Sequence, residues 1–430
     1  MNALFLALAV AAGDPALPAT VQTEPAATAP LTLEQALDLA RANPRLAQAQ
    51  ASVMVARGQV GIARSGFLPG GSASARAGWT ATNLGARPSS ALYDTYNASI
   101  TLNQTLWDFG RTLGAFLAAR DQERAARAEV DAAWNAVELN VRTAYYTVLA
   151  TEALVAVADQ TVTSNQRQLD LARGQFDVGT RPRFDVTTAD VNLQQSLISQ
   201  ITTHDGVVLN RIALSQAVGQ DVSKRTLLLP TVPQDIDLDV PRLMAEATAS
   251  RPDLKAAELQ ISAADQDLSA AKSAWYPILG ASASYLWNNS RYPVAGGLPA
   301  SDSNSWNILG TITWPFLNGG ADMGRVDVQS GVLASATASR DLLLLQVRTD
   351  VEQAVTTVKE ARARRTVART LVTQAKENLE LAEGRYQAGI GTIIDVTISQ
   401  TSYTSAQAQE VRAAFDLASA WAQLQYAIGR

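Results

Sequence analysis

The side chains with the clearest capacity for chemistry sit in two copies of one short pattern. "GQFDVGTRPRFDVTTAD" (174–190) and "GRYQAGIGTIIDVTISQ" (384–400) share a glycine, an aromatic two residues on, a second glycine and an Asp-Val-Thr, 210 positions apart. Among their side chains are the carboxylates of the repeated Asp-Val-Thr, Asp185 and Asp395, the guanidinium groups of Arg181 and Arg183, and the phenol of Tyr386. Such groups suit ion pairing and charged hydrogen bonding. They do not amount to a reaction centre. The 430 residues include no cysteine and one histidine, His204, which removes Cys-based zinc sites, thiol chemistry and disulfides. The surroundings of His204, "TTHDG", offer no nucleophile elbow, and no G-x-S-x-G occurs. His204 reads as a solvated helix-surface residue. No catalytic residue, metal site or cofactor is expected, so the chain does not read as an enzyme. The net charge of -5 is mild and the 35 basic residues are scattered, which argues against nucleic acid as a partner.

The repeated pattern belongs to a longer duplication. Leu171, Ala172, Gly174, Gly179, Asp185, Leu214, Ala217 and Gly219 recur as identical residues 210 positions later, and "ARSGFLPGGSASA" is echoed by "AKSAWYPILGASASY". Fixed-offset similarity in preserved order marks one unit used twice. The division expected is residues 31–220 for the first unit, 221–240 for a linker and 241–430 for the second. Ahead of them, Ala3 to Ala12 is an apolar run too short to span a bilayer but suited to a signal peptide over about residues 1–12, with a flexible segment over 13–30.

Each unit repeats one plan. An opening helix is predicted from Leu33 to about Gly66, and again from Pro241 to about Trp275. No Gly or Pro lies between Ala115 and Arg173, nor between Val332 and Glu383. Breaker-free runs rich in Ala, Leu, Gln, Glu and Arg favour helix, and ~60 residues make a rod of roughly 90 Å. Val137, Val141, Ala144, Val148, Thr151 and Val155 recur at coiled-coil spacing, as do Leu344, Val347, Val351, Val355 and Val358. A returning helix follows each rod, Phe184 to Val218 and Thr392 to Ile428. The quoted pattern therefore falls on helical hairpin tips, where Gly174, Gly179, Gly384 and Gly389 supply the turn. A plain helix turn accounts for the glycines but not for the repeated Asp-Val-Thr.

Four strands are predicted between opening helix and rod: Ser72–Thr82, Tyr96–Trp107, Leu279–Asn289 and Ser305–Phe316. In the last, Trp306, Ile308, Ile312, Trp314 and Phe316 share one parity, and Asn307, Thr311 and Thr313 the other. Trp79, Trp107, Trp287, Trp306 and Trp314 fall where a membrane-interface aromatic belt would place them. The alternative is a small soluble sheet packed on the helices. Four strands cannot close a barrel, so a membrane role demands oligomerisation, two chains giving eight strands and three giving twelve. "NLGARPSSALYD" and "SRYPVAGGLPASDS" have the polar, Gly/Pro-rich character of loops outside a membrane face.

"LTLEQALDLARANPRL", "ITWPFLNGG" and "RYQAGIGTIIDV", with the duplication, make residues 31 to 430 resemble the TolC-like outer membrane efflux proteins of Gram-negative bacteria. The resemblance implies a mostly α fold with a small β part. It also implies a homotrimer whose twelve strands form one barrel in outer membrane lipid and whose helices form a tube across the periplasm, closed at the tips. Such channels serve an inner-membrane pump, for efflux or type I secretion, through a periplasmic adaptor protein. By resemblance Asp395 falls on an acidic ring at the tip, Ile398 stands where a second acid can occur, and Tyr386 and Asp185 fall on latch positions. A latch arginine is replaced by Gly391, so Arg181 or Arg183 is expected to pair with Asp395 or Asp185, against the alternative of ordinary surface solvation. Gln194, Gln195, Gln400 and Gln407 are expected on the lumen wall. The rival reading is a periplasmic or surface coiled-coil protein without a pore.

Overall fold

Two helices of equal length set the dimensions of the molecule. α3 (Arg111–Asp177) and α7 (Ala321–Gln387) have 67 residues each, about 100 Å at 1.5 Å per residue. The computed structural model describes residues 30–83, 90–230, 238–291 and 301–430. The expected signal peptide, nearly all of the segment after it, 231–237 of the linker and the tips of both polar loops lie outside the described residues.

Both opening helices are broken where single helices were predicted. α1 (Leu33–Ala40) is followed by α2 (Pro44–Ser65), and α5 (Val240–Ser250) by α6 (Pro252–Lys272) with a short 3-10 turn to Trp275. The cause is proline, which bars α conformation in the residue before it. Asn43 and Arg251 accordingly adopt ψ of 134° and 120°. Each break receives the end of a returning helix, α4 (Arg183–Val218) or α8 (Ile393–Ala427). Asn43 Nδ2 donates to Ala217 O at 2.8 Å, and Arg251 Nη1 donates to Ala427 O at 3.3 Å, so the same joint is built once with an amide and once with a guanidinium. α4 and α2 thus follow one another along α3, as α8 and α6 do along α7.

The core lies partway along the shaft. Val137, Val141 and Val148 of α3 are buried with α1, α4 and Leu227, and Val347, Val351, Val355 and Val358 of α7 with α5 and α8. Tyr145, 0% exposed, donates to Leu31 O and Leu228 O and accepts from Leu228 N, which pins the start of the first unit and its linker to α3.

At the opposite end of the long helices from their tips, β1 (Gly70–Asn83), β2 (Ser90–Trp107), β3 (Ile278–Arg291) and β4 (Ser301–Thr313) form one antiparallel sheet in the order β1-β2-β3-β4. The strands outrun the predicted ones except at the end of β2, which is Trp107 as predicted, and at the end of β4, where the chain leaves the ladder after Thr313. Within the sheet the two units join through the β2–β3 ladder; along the shaft α6 and α8 also pack on α3.

Candidate functional site at the helical tips

The turn at each tip is a left-handed helix cap. Gly179 has φ of +78° and Gly389 +83°. Around them Gly179 N bonds Phe176 O and Thr180 N bonds Gln175 O, matched by Gly389 N to Tyr386 O and Ile390 N to Arg385 O. This is the paired bonding of a Schellman motif, which satisfies the last carbonyls of α3 and α7. Gly174 and Gly384 do not take part. Both lie inside their helices, with open space where a Cβ would stand, so the sequence expectation that they shape the turn is corrected.

The two tips meet through a one-sided joint. Tyr386, 1% exposed, donates its hydroxyl to Asp185 Oδ2 at 3.0 Å. Burial, followed by that contact with an anionic acceptor, pushes the phenol up to about 12. Arg181 lies with its guanidinium carbon 4.5 Å from the centre of the Tyr386 ring. Its Nη2 donates to Tyr386 O at 3.0 Å and Gly391 O at 3.2 Å. A Cβ on Gly391 would stand 2.9 Å from Tyr386 N, so only glycine lets the turn fold this closely. Arg181 and Gly391 are equivalent positions of the two units, as are Phe176 and Tyr386. Phe176, 42% exposed and without a hydroxyl, forms no reciprocal bond.

The expected ion pairs are not made. Among the described residues neither Arg181 nor Arg183 forms one with Asp185 or Asp395, because Arg181 spends its donors on carbonyls and Arg183 points to solvent. Asp395 instead caps its own helix. Its Oδ2 accepts from Thr392 N at 3.1 Å and Thr392 Oγ1 at 2.9 Å, while Asp395 N donates to Thr392 Oγ1 at 3.2 Å. Those bonds, with a smaller contribution from Arg385, hold the exposed carboxyl below the ordinary aspartate value. Thr392 was legible in the sequence through its Thr-x-x-Asp spacing, the signature of a capping box. Gln195 and Gln400, expected on the lumen wall, line a cavity between the hairpins. His204 is exposed, with Nε2 3.3 Å from Asp159 Oδ1.

The far end of the molecule is a sheet with two unlike faces. Directly opposed residues share a face, and the register aligns Ala73, Ile100, Tyr285 and Trp306 in one row and Gly71, Leu102, Ala283 and Ile308 in the next. On the other face run Ser72, Thr101, Ser284 and Asn307, with Ser284 Oγ donating to Asn307 Oδ1 at 3.0 Å. The apolar face is uncovered: Trp306, Ile308 and Ile312 are 75%, 72% and 74% exposed. A register shift between Thr105 and Trp107 brings Trp107 onto that face opposite Leu279. Trp107 and Trp314 stand at the helix end of the strands. Trp287 is farther along β3 by about 26 Å of strand; by register Trp306, opposite Tyr285, is close to that level, and Trp79, aligned through Asp94 with Arg291, stands beyond it. Among the described residues, β1 and β4 each pair on one side only.

The same build recurs in known proteins. A crystal structure of a membrane protein from Pseudomonas aeruginosa superposes with a TM-score of 0.81 at 24% identity, covering 92% of this chain and 93% of that one. In sequence, the outer membrane protein OprJ of Pseudomonas aeruginosa is 26% identical over 371 residues, 83% of this chain and 75% of OprJ. The solvent efflux pump outer membrane protein SrpC of Pseudomonas putida is 26% identical over 309 residues, 67% of this chain and 61% of SrpC. The sequence pattern of the outer membrane efflux protein family matches residues 36–220 and 243–430, so that the duplicated helical shaft, the four-stranded sheet and the matched sequence agree: the chain belongs to the outer membrane efflux protein family.

Proposed function

We propose that three copies of this chain form an exit duct across the periplasm and outer membrane, gated at the helical tips. The observation that carries this reading is the sheet, which exposes one apolar face and leaves both edge strands half paired about 100 Å from the tips. Backbone groups at an open edge have no partner in lipid, so the sheet must close with copies of itself. Three copies give a twelve-stranded barrel with a polar lumen, and three long-helix pairs continue the wall below it. Trp107 and Trp314 form one interfacial tier of aromatics, and Trp287 and Trp306 the other, with Trp79 farther out.

The tip joint fits a gate. Tyr386, Asp185 and Arg181 hold the α7–α8 turn against the α3–α4 turn, and three Asp395 carboxylates around a narrow mouth favour cations. A periplasmic adaptor and an inner-membrane pump would supply the binding energy that shifts the tips to an open state. The chain itself performs no reaction in this scheme.

Single-channel recording of the detergent-purified protein in a planar bilayer tests the proposal. The expected result is small, cation-selective steps that lose selectivity in Asp395→Ala. A water-soluble monomer without conductance would leave a coiled-coil rod instead.

A further inference from the structure

α3 and α7, equivalent in the two units, differ in what they touch. α3 packs against α2 and α4 of its own unit and against α6 and α8 of the other, whereas the extensive contacts of α7 among the described residues are all with its own unit, α5, α6 and α8. The cross-unit side of α3 completes the mid-shaft joint at Arg251. There Ala132 and Asn135 close over Arg251, Tyr426 and Gly429, and the space left is about 20 Å³, room for about one water. The equivalent joint at Asn43 lacks that wall. Asn43, Arg45, Ile212, Gln216 and Gly219 border an open cleft of about 700 Å³ to which, among the described residues, neither α3 nor α7 contributes.

The duplication identifies the missing wall. Ala132 and Asn135 correspond, 210 positions on, to Leu342 and Leu345. These two leucines face away from the core of their own unit, 68% and 63% exposed, while Leu343 and Leu344 between them pack into it. Beside the cleft the same logic holds: Ala418 and Ala422 of α8 are buried in the core around α3, but their counterparts on α4, Val208 and Ile212, stand exposed. Side-chain size is complementary as well. Small Ala132 and Asn135 meet the large Arg251 and Tyr426, whereas the smaller Asn43 and Gln216 at the equivalent places leave room for two leucines. The sheet arranges copies in the same sense, since β4 leads into α7 and β1 follows α2, so a copy added at the sheet edge brings its α7 beside the cleft. We propose that Leu342 and Leu345 of one copy fill the Asn43 cleft of the next, remaking between chains the joint that α3 makes within one. A head-to-tail contact of this kind closes a ring. This inference rests on the three-copy reading.

The chain has no cysteine of its own, so thiols can be placed at will. Leu345→Cys with Gln216→Cys, treated with a short bis-maleimide in the detergent-purified protein, should give covalent dimers and trimers on a denaturing gel, and each single variant should stay monomeric there. Light scattering of the same sample reports its oligomeric state. A trimer whose two thiols react with a simple maleimide yet yield no ladder leaves the cleft to some other occupant and overturns the proposal, while the three-copy reading stands. A monomer defeats both. The filling itself is read by Leu342→Ala with Leu345→Ala, which trims the exposed pair without touching the core of its own unit. Exchange of subunits between differently labelled trimers should quicken about tenfold or more, and an unchanged exchange rate overturns the role of the two leucines.

Discussion

The hydroxyl of Tyr386 in the second unit donates to the carboxylate of Asp185 in the first, over 3.0 Å, with the two residues 1% and 6% exposed. A hydrogen bond to a charged acceptor contributes about 1.5–3 kcal/mol, and removing the donor leaves the buried carboxylate short of a partner. Tyr386→Phe is therefore expected to raise the open probability about tenfold or more. Asp185→Ala should act in the same direction, and single-channel recording reads both.

The same bond gives the tip a pH response. The phenol lies at about 12 in the joint against 10.0 ordinarily. A value raised in the closed state means that closure is fully supported below pH 10 and loses support as pH climbs towards 12. Conductance of the wild-type protein should increase across that window. The Tyr386→Phe channel, already open, should lack that rise.

Arg181 tests how far shape matters beyond charge. Its planar group covers the Tyr386 ring and reaches two carbonyls at once. Lysine offers a point charge without the flat group that lies over the ring. Arg181→Lys should therefore resemble Arg181→Ala in open probability rather than the parent, and a lysine variant that gates normally would show that charge alone suffices.

These contacts mark where the sequence was legible and where it was not. Long helices follow from the absence of Gly and Pro, and strand faces from alternation, because both are local rules. The breaks at Asn43 and Arg251 were equally local and stood written in the prolines after them. The partner of Arg181 was not local. Charge suggested Asp185 or Asp395, but Asp395 was already engaged by Thr392, and the guanidinium found carbonyls that the close fold around Gly391 presents. Which atoms a side chain meets across units depends on tertiary geometry that spacing does not encode.

The four tip glycines, alike in sequence, should separate in experiment. Gly179→Ala and Gly389→Ala place a side chain at positive φ and should each destabilise the tip by about 1 kcal/mol. Gly174→Ala and Gly384→Ala fall inside helices with free space around the new methyl, and should each stabilise by roughly 0.5–1 kcal/mol. Thermal unfolding of the four variants at equal protein and detergent concentration compares them. Equal effects in all four would contradict the assigned caps.

The sheet offers the sharpest contrast between neighbours. Ile308 and Asn307 are consecutive on β4 yet point to opposite faces, Ile308 beside Ala283 and Asn307 beside Ser284. If the apolar face meets lipid, a lysine at 308 lies between the two tryptophan tiers and costs about 2–4 kcal/mol on insertion. A lysine at 307 projects into a polar lumen and costs little. Ile308→Lys should therefore reduce the fraction recovered as membrane-embedded oligomer, while Asn307→Lys assembles normally and shifts ion selectivity towards anions. Were the sheet packed in a soluble rod, both lysines would meet water and neither would change recovery, so the ratio of the two yields decides what covers the apolar face.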